Sequence, residues 1–158
     1  MKAKVIVVGV VATSFFLGAA CAAAQSFNPI HWIKKSPTAT EQLAANKDQN
    51  QKLALQLQAI LPPRTSLNDT CLAFKSLNDC IAALHVSHNL KIRFACLKWH
   101  VTAVQSSGGT ASACKAPERG RPVNLVKAIR LLKPDADARA EAKTAEKRAH
   151  EDIKDASS

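Results

Sequence analysis

The chain has 158 residues, with 22 Lys+Arg against 12 Asp+Glu, five His, five Cys and no Tyr. At 47% hydrophobic and 22% charged residues it is neither a wholly disordered chain nor a coiled-coil rod. Setting aside a leader of 24 residues leaves 134, enough for one small domain with tails and too few for a large two-domain enzyme.

The leader is read from Met1-Lys2-Ala3-Lys4, with its two lysines, followed by the apolar run Val5 to Leu17 and the small residues Gly18 to Ala24. A charged start, an apolar middle and a small-residue end make a secretory signal, residues 1–24, cut after Ala22-x-Ala24. A membrane span needs about 20 apolar residues, a length reached only if Gly, Ser, Thr and every alanine count. Leu17-Gly18-Ala19-Ala20-Cys21 also resembles a bacterial lipoprotein box. Cys21 is therefore a possible lipidation site, although Gly18 stands where such boxes carry a Leu-like residue.

With Cys21 removed, Cys71, Cys80, Cys96 and Cys114 remain, and four cysteines in an exported chain imply two disulfides with three possible pairings. On one continuous helix Cys71 and Cys80 would stand about 13.5 Å apart, too far to bridge. A break near Leu77-Asn78 makes the sequential pairing feasible and favoured, Cys71 with Cys80 and Cys96 with Cys114.

Residues 25–37 hold the aromatic pair Phe27 and Trp32 together with Pro29 and Pro37 and form an irregular arm. Thr38-x-x-Glu41 has capping-box spacing and opens an amphipathic helix over 38–62, stopped by Pro62-Pro63. Leu43, Asn50, Leu53, Leu57 and Ile60 mark one face, but Asn46 to Lys52 is polar all round, so burial is expected in the C-terminal half. Residues 63–134 form a small helical core. Ser66-x-x-Asp69 starts a short helix with Cys71, Leu72, Phe74 and Leu77; Asn78-Asp79 caps a second, Cys80 to His88, with Asn89 at its end. Lys91 to Phe94 alternates like an extended connector, and 94–104 fits either helix or strand. Residues 105–122 are a Gly- and Pro-bearing loop, and Val123, Val126, Ile129 and Leu132 mark a last core helix before Pro134. Residues 135–158 are Ala-rich and charged. Ala138, Ala142, Ala145 and Ala149 recur at helical spacing, but an alanine stripe buries little, so a solvated helical or disordered tail is expected. The fold class is all-α: a disulfide-stapled bundle of short helices.

Phe74-Lys75-Ser76-Leu77, then Ala82 to Leu90, Ile92, Phe94 and Leu97-Lys98 resemble a motif of a family of small secreted bacterial proteins without known activity. Its pattern is F-K-N-L-G-x-F-V-A-A-L-H-V-S-x-N-L-G-I-P-F-x-x-L-K. Ala128-Ile129-Arg130-Leu131-Leu132-Lys133-Pro134 and the tail look like the helix and tail that follow there. The resemblance spans about 66–150, is most specific at His85-Val86-Ser87-His88-Asn89-Leu90, and implies fold and export but no reaction. The chain departs at Cys80 (usually Phe), Lys91 (usually Gly), Arg93 (usually Pro) and Cys96 (usually polar).

Among candidate sites, His85 and His88 lie one helical turn apart and Cys96 and His100 four residues apart, a zinc-like donor set that disulfide formation competes against. There is no C-x-x-C and no G-x-S-x-G; Ser87 lies between two histidines, but helix neighbours do not face one another. No catalytic residue and no cofactor is assigned. The remaining lead is charge: residues 25–133 hold 15 basic and 5 acidic side chains, the tail 5 and 7. Lys91, Arg93, Lys98, Arg119, Arg121, Lys127 and Arg130 make a candidate basic patch for an anionic envelope surface or protein partner. Nucleic acid is not expected in an exported protein, and membrane contact is expected only through a lipid anchor. The reading is a periplasmic or secreted non-catalytic protein. Its alternatives are a metal- or small-ligand-binding module using His85 and His88, with His100 a further candidate ligand residue, and a small exported enzyme with a noncontiguous site.

Overall fold

A computed structural model describes residues 36–105, 114, 116–117 and 120–158. The leader, the arm up to residue 35, Cys21, Lys115 and Arg119 lie outside the described residues. Seven helices follow in order: α1 (Ala39–Ala45), α2 (Lys47–Gln56), α3 (Leu67–Cys71), α4 (Leu77–Leu90), α5 (Phe94–Thr102), α6 (Leu125–Leu132) and α7 (Ala138–Ala156). All belong to one unit, Lys34–Ser158. Among the described residues there is no strand, which bears out the all-α class and resolves Phe94–Thr102 of the 94–104 stretch as a helix.

Local chemistry sets the boundaries. Thr38 Oγ1 accepts from the Glu41 amide at 3.4 Å while the Thr38 amide donates to Glu41 Oε2 at 2.6 Å, so the expected capping box starts α1. The single helix expected over 38–62 is instead broken at Asn46. That residue leaves helical geometry (φ −138°, ψ 100°), and its Oδ1 accepts from the Gln49 amide, starting α2. Consequently both halves contribute to the core: Ala39 and Leu43 from α1, Leu53 and Leu57 from the second part. The helix then ends at Gln56, with turns leading into Pro62-Pro63.

The break between the first two cysteines falls earlier than Leu77-Asn78. Helix α3 ends at Cys71, Ala73 takes a left-handed φ of 75°, and the Ser76 hydroxyl caps α4 by accepting from the Asp79 amide at 3.1 Å. Leu77 and Asn78 are already helical, so Asn78-Asp79 is the first turn and not the cap. Helix α4 also runs past Asn89 and closes at Lys91, which takes φ 54°. The sequential disulfides are present: Cys71–Cys80 and Cys96–Cys114, each with Cα atoms 5.3 Å apart.

Helix α4 is the axis of the unit. Cys80, Ile81, Ala82, Ala83 and Leu84 are all fully buried, and five successive residues at about 100° each cover the whole circumference. Helices α1, α3, α5 and α7 supply that cover. The largest share comes from α7, which corrects the expectation of a tail that buries little. Ala138, Ala142, Ala145, Ala149 and Ala156 are buried to 3% exposure or less, and α7 also meets α6 and α2. Small side chains let two helix backbones approach closely, so the stripe gains dispersion contacts that its own area would not suggest. Asp137 Oδ1 caps α7 by accepting from Arg139 and Ala140 amides, and Gln49 Nε2 on α2 donates to Ile153 O and Ser157 Oγ at its far end. Residues 63–134 and 135–158 are thus parts of one core. Helix α6 begins at Leu125 behind an Asn124 cap, burying Ala128 and Ile129, with Val123, Val126 and Leu132 partly buried around them.

Candidate functional site

Two of the four polar residues between His85 and Leu90 are spent on holding helices together. His85 Nε2 on α4 lies 2.7 Å from Asp152 Oδ2 on α7, both partly buried, fastening the longest helix to the axis. Ser87 donates from Oγ to the carbonyl of Ile92 at 2.8 Å, closing the turn between α4 and α5. Its hydroxyl proton is therefore committed to the backbone and not to a histidine. His88 is exposed, whereas His85 is turned toward α7, so the two histidines one turn apart are not gathered into one site.

His100 is 3% exposed, and its carbonyl accepts from the Val123 amide at 2.9 Å, joining α5 to the segment before α6. Cys96, four residues earlier, is spent in its disulfide and offers no thiolate. Among the described residues no three His, Cys, Asp or Glu side chains converge to hold a metal ion.

Lys98 departs furthest from its expected place. It is 7% exposed, so it is not part of a surface patch. Its ammonium donates to the carbonyls of Asp69 at 3.2 Å and Thr70 at 3.0 Å, satisfying the orphan acceptors at the end of α3. Burial pushes the lysine below its ordinary range, with the Asp69 charge pulling the other way. Lys98 stands four residues after Phe94 and three before Val101. That places it on the face marked by apolar residues, the one sign in the sequence that it is an interior group.

Lys98 also lines a cleft of about 760 Å³. The cleft lies between the α2–α3 connector (Ile60, Pro62, Pro63, Thr65), helix α3 with Leu72, and the start of α5 (Arg93, Phe94, Ala95), with Val104 and Gln105 beyond. No sequence pattern announced it, because its walls come from segments nearly 40 residues apart. A second, smaller cleft of about 340 Å³ is edged by Lys75, Asp79 and Glu146 around Phe74, Val101 and Leu125.

Compared with protein-family models, curated proteins and solved structures, the chain matches none.

The other candidate basic residues among those described are on the surface. Lys91, Arg93, Arg121, Lys127 and Arg130 are all exposed. Among the described residues the Lys and Arg ion pairs are Lys133–Asp135 and Lys147–Glu151, both 3.7 Å long and well exposed. Lys91, Arg121, Lys127 and Arg130 take part in neither. Lys127 and Arg130 stand one turn apart on α6, with Leu131, 39% exposed, beside them. Among the described residues no helix is long and apolar enough to cross a membrane.

Proposed function

We propose that this is an exported, non-catalytic protein of the bacterial cell envelope that associates with an anionic surface or an acidic protein partner. The observation that carries the reading is the cationic surface: among the described residues Lys91, Arg121, Lys127 and Arg130 are exposed and take part in no ion pair, on a region holding 15 basic and 5 acidic residues. A cationic surface raises the local concentration of anions and speeds encounter without requiring a deep pocket. Two disulfides fit an oxidising compartment, and the lysine-led apolar leader supplies a route to it. The hydrogen bonds of His85 and Ser87 favour a structural role for that pair over an acid–base one.

The test is binding of the full-length chain, expressed with its leader and recovered from the periplasm, to vesicles with and without phosphatidylglycerol over a salt series. The expected result is binding to the anionic vesicles alone, falling steeply between 50 and 500 mM salt as the Debye length shrinks to a few ångströms, and reduced several-fold in Lys127→Glu/Arg130→Glu. Binding unchanged by salt, or by reversal of both charges, rules the reading out. Intact mass of the same preparation reports export directly. Loss of residues 1–24 and of four hydrogens supports it, and an uncut, fully reduced chain contradicts it.

A further inference from the structure

We infer that the cleft beside Lys98 captures an apolar aldehyde, with the Lys98 amine as the nucleophile that condenses with its carbonyl carbon. Among the described residues Lys98 is the one buried lysine, at 7% exposure. It lines the cleft of about 760 Å³ together with Asp69 and Thr70, whose carbonyls accept from its Nζ at 3.2 and 3.0 Å. The nitrogen is thus fixed among lining residues at the end of α3. A neutral amine keeps two N–H bonds, enough for both carbonyls, and its lone pair takes the tetrahedral corner that remains. The carbonyls therefore hold the nitrogen without consuming the electrons that attack.

The walls serve both the ligand and the nucleophile. Ile60, Pro62, Pro63, Leu72, Phe94 and Val104 are apolar, and the cleft lies within the size range of small-ligand pockets. Leu72 and Val104 are 59% and 47% exposed, two of the four large apolar side chains that the described residues leave open to water. An alkyl chain laid in the cleft covers them. The same surroundings disfavour the ammonium: burial pushes Lys98 below its ordinary range, against the pull of Asp69. A lysine of ordinary pKa is neutral in only about one molecule in a few thousand at pH 7, so a desolvated one holds more of the reactive form. The Thr65, Thr70 and Ser87 hydroxyls already donate to Pro62 O, Ser66 O and Ile92 O. Arg93, also in the lining, has an interaction of its own and takes no part. An aldehyde carries no charge, which suits a lining where Lys98 and Asp69 balance.

In the reaction the Nζ lone pair forms a bond to the carbonyl carbon and the C=O π pair moves onto oxygen, giving a carbinolamine. The C–O bond then breaks, the oxygen leaves as water with the two amine hydrogens, and a C=N bond remains. No oxidant or reductant enters. Protonated, the imine keeps one N–H for the carbonyl of Asp69 or Thr70, and its charge faces the Asp69 carboxylate.

The capture needs no cationic exterior, so it stands or falls apart from the surface association. The oxidised full chain is incubated at pH 7 with nonanal or with propanal in the presence of cyanoborohydride, which reduces the imine to a stable secondary amine, and the modified lysines are mapped by peptide mass. The expected result is nonanal labelling of Lys98 at least about tenfold faster than of any exposed lysine, and faster than propanal labels it. The chain's α-amine, which titrates near 8, is counted apart. Because Lys98 also supports α3, Lys98→Met is paired with Leu72→Ser, which changes an exposed wall residue. Lys98→Met should abolish the fast labelling. Leu72→Ser should slow nonanal at Lys98 several-fold and leave propanal unchanged. Labelling of Lys98 no faster than of exposed lysines, equal rates for the two aldehydes, or an unchanged nonanal rate in Leu72→Ser overturns the inference.

Discussion

Two lysines show how the same residue type carries opposite consequences at different positions. Lys91 sits at φ 54°, a conformation that costs a non-glycine residue about 1–2 kcal/mol. Lys91→Gly is expected to raise stability by about 0.5–1 kcal/mol after the added chain entropy, read as a shift in the urea midpoint. Lys98 is instead held by two carbonyls in a buried position, and burial lowers its pKa. Between its folded pKa and the ordinary value of about 10.5 the unfolded chain binds more protons than the folded one, so stability rises with pH in that window. Below the folded pKa both states are protonated and the contribution is flat. Lys98→Met should remove the alkaline rise, seen as a parallel fall in the pH slope of its unfolding free energy above neutral pH. Helical spacing with Phe94 and Val101 marks Lys98 as interior, but that sign holds only once 94–102 is known to be a helix, and composition alone puts the residue in a basic patch. The 2.7 Å contact of His85 with Asp152 was not readable, since 67 residues separate them and nothing local couples them. A double-mutant cycle of His85→Ala and Asp152→Ala should return a coupling of about 1 kcal/mol, whereas two independent surface residues would add without coupling.

At the scale of elements, helix existence followed from spacing and the breaks followed from side-chain oxygens. The capping boxes and turns at Thr38 and Ser66 are local, and these helices begin where the residues say they should. Asn46-x-x-Gln49 carries the same kind of signal inside a polar stretch. It was masked by the apolar periodicity continuing across it, from Leu43 to Leu53. The tail was underestimated for a different reason. Periodicity alone puts its alanines on one face, but their burial depends on what lies opposite, and the helix they pack against, α4, is nearly 50 or more positions away in sequence. A stripe of this sort tolerates little added volume. Ala149→Leu, at a fully buried position, is expected to cost about 1–3 kcal/mol through overpacking. Ala140→Leu on the exposed side of α7 should stay within about 0.5 kcal/mol of wild type. Equal effects at the two positions would mean that α7 does not dock through this face.

For the whole molecule, the disulfides and the α4–α7 contact divide the labour. The first staples α3 to α4 at the core, and the second ties α5 to Cys114 beyond it. Loop entropy alone ranks the second higher: its sequence separation of 18 is twice the 9 of the first, and each doubling adds about 0.6 kcal/mol. Packing reverses that order. Cys71 and Cys80 are both 0% exposed, whereas Cys96 keeps 7% and Cys114 is only partly buried. Replacing the first pair by alanine leaves two sulfur-sized voids in the interior at about 1 kcal/mol each. Cys71→Ala/Cys80→Ala is therefore expected to lose more stability than Cys96→Ala/Cys114→Ala, by about 1–1.5 kcal/mol, with each pair costing about 2–5 kcal/mol overall. Urea titrations of the two double variants under identical buffer decide it. A larger loss from the second pair would show that chain entropy, and not the packing of α3 against α4, governs how this bundle is held.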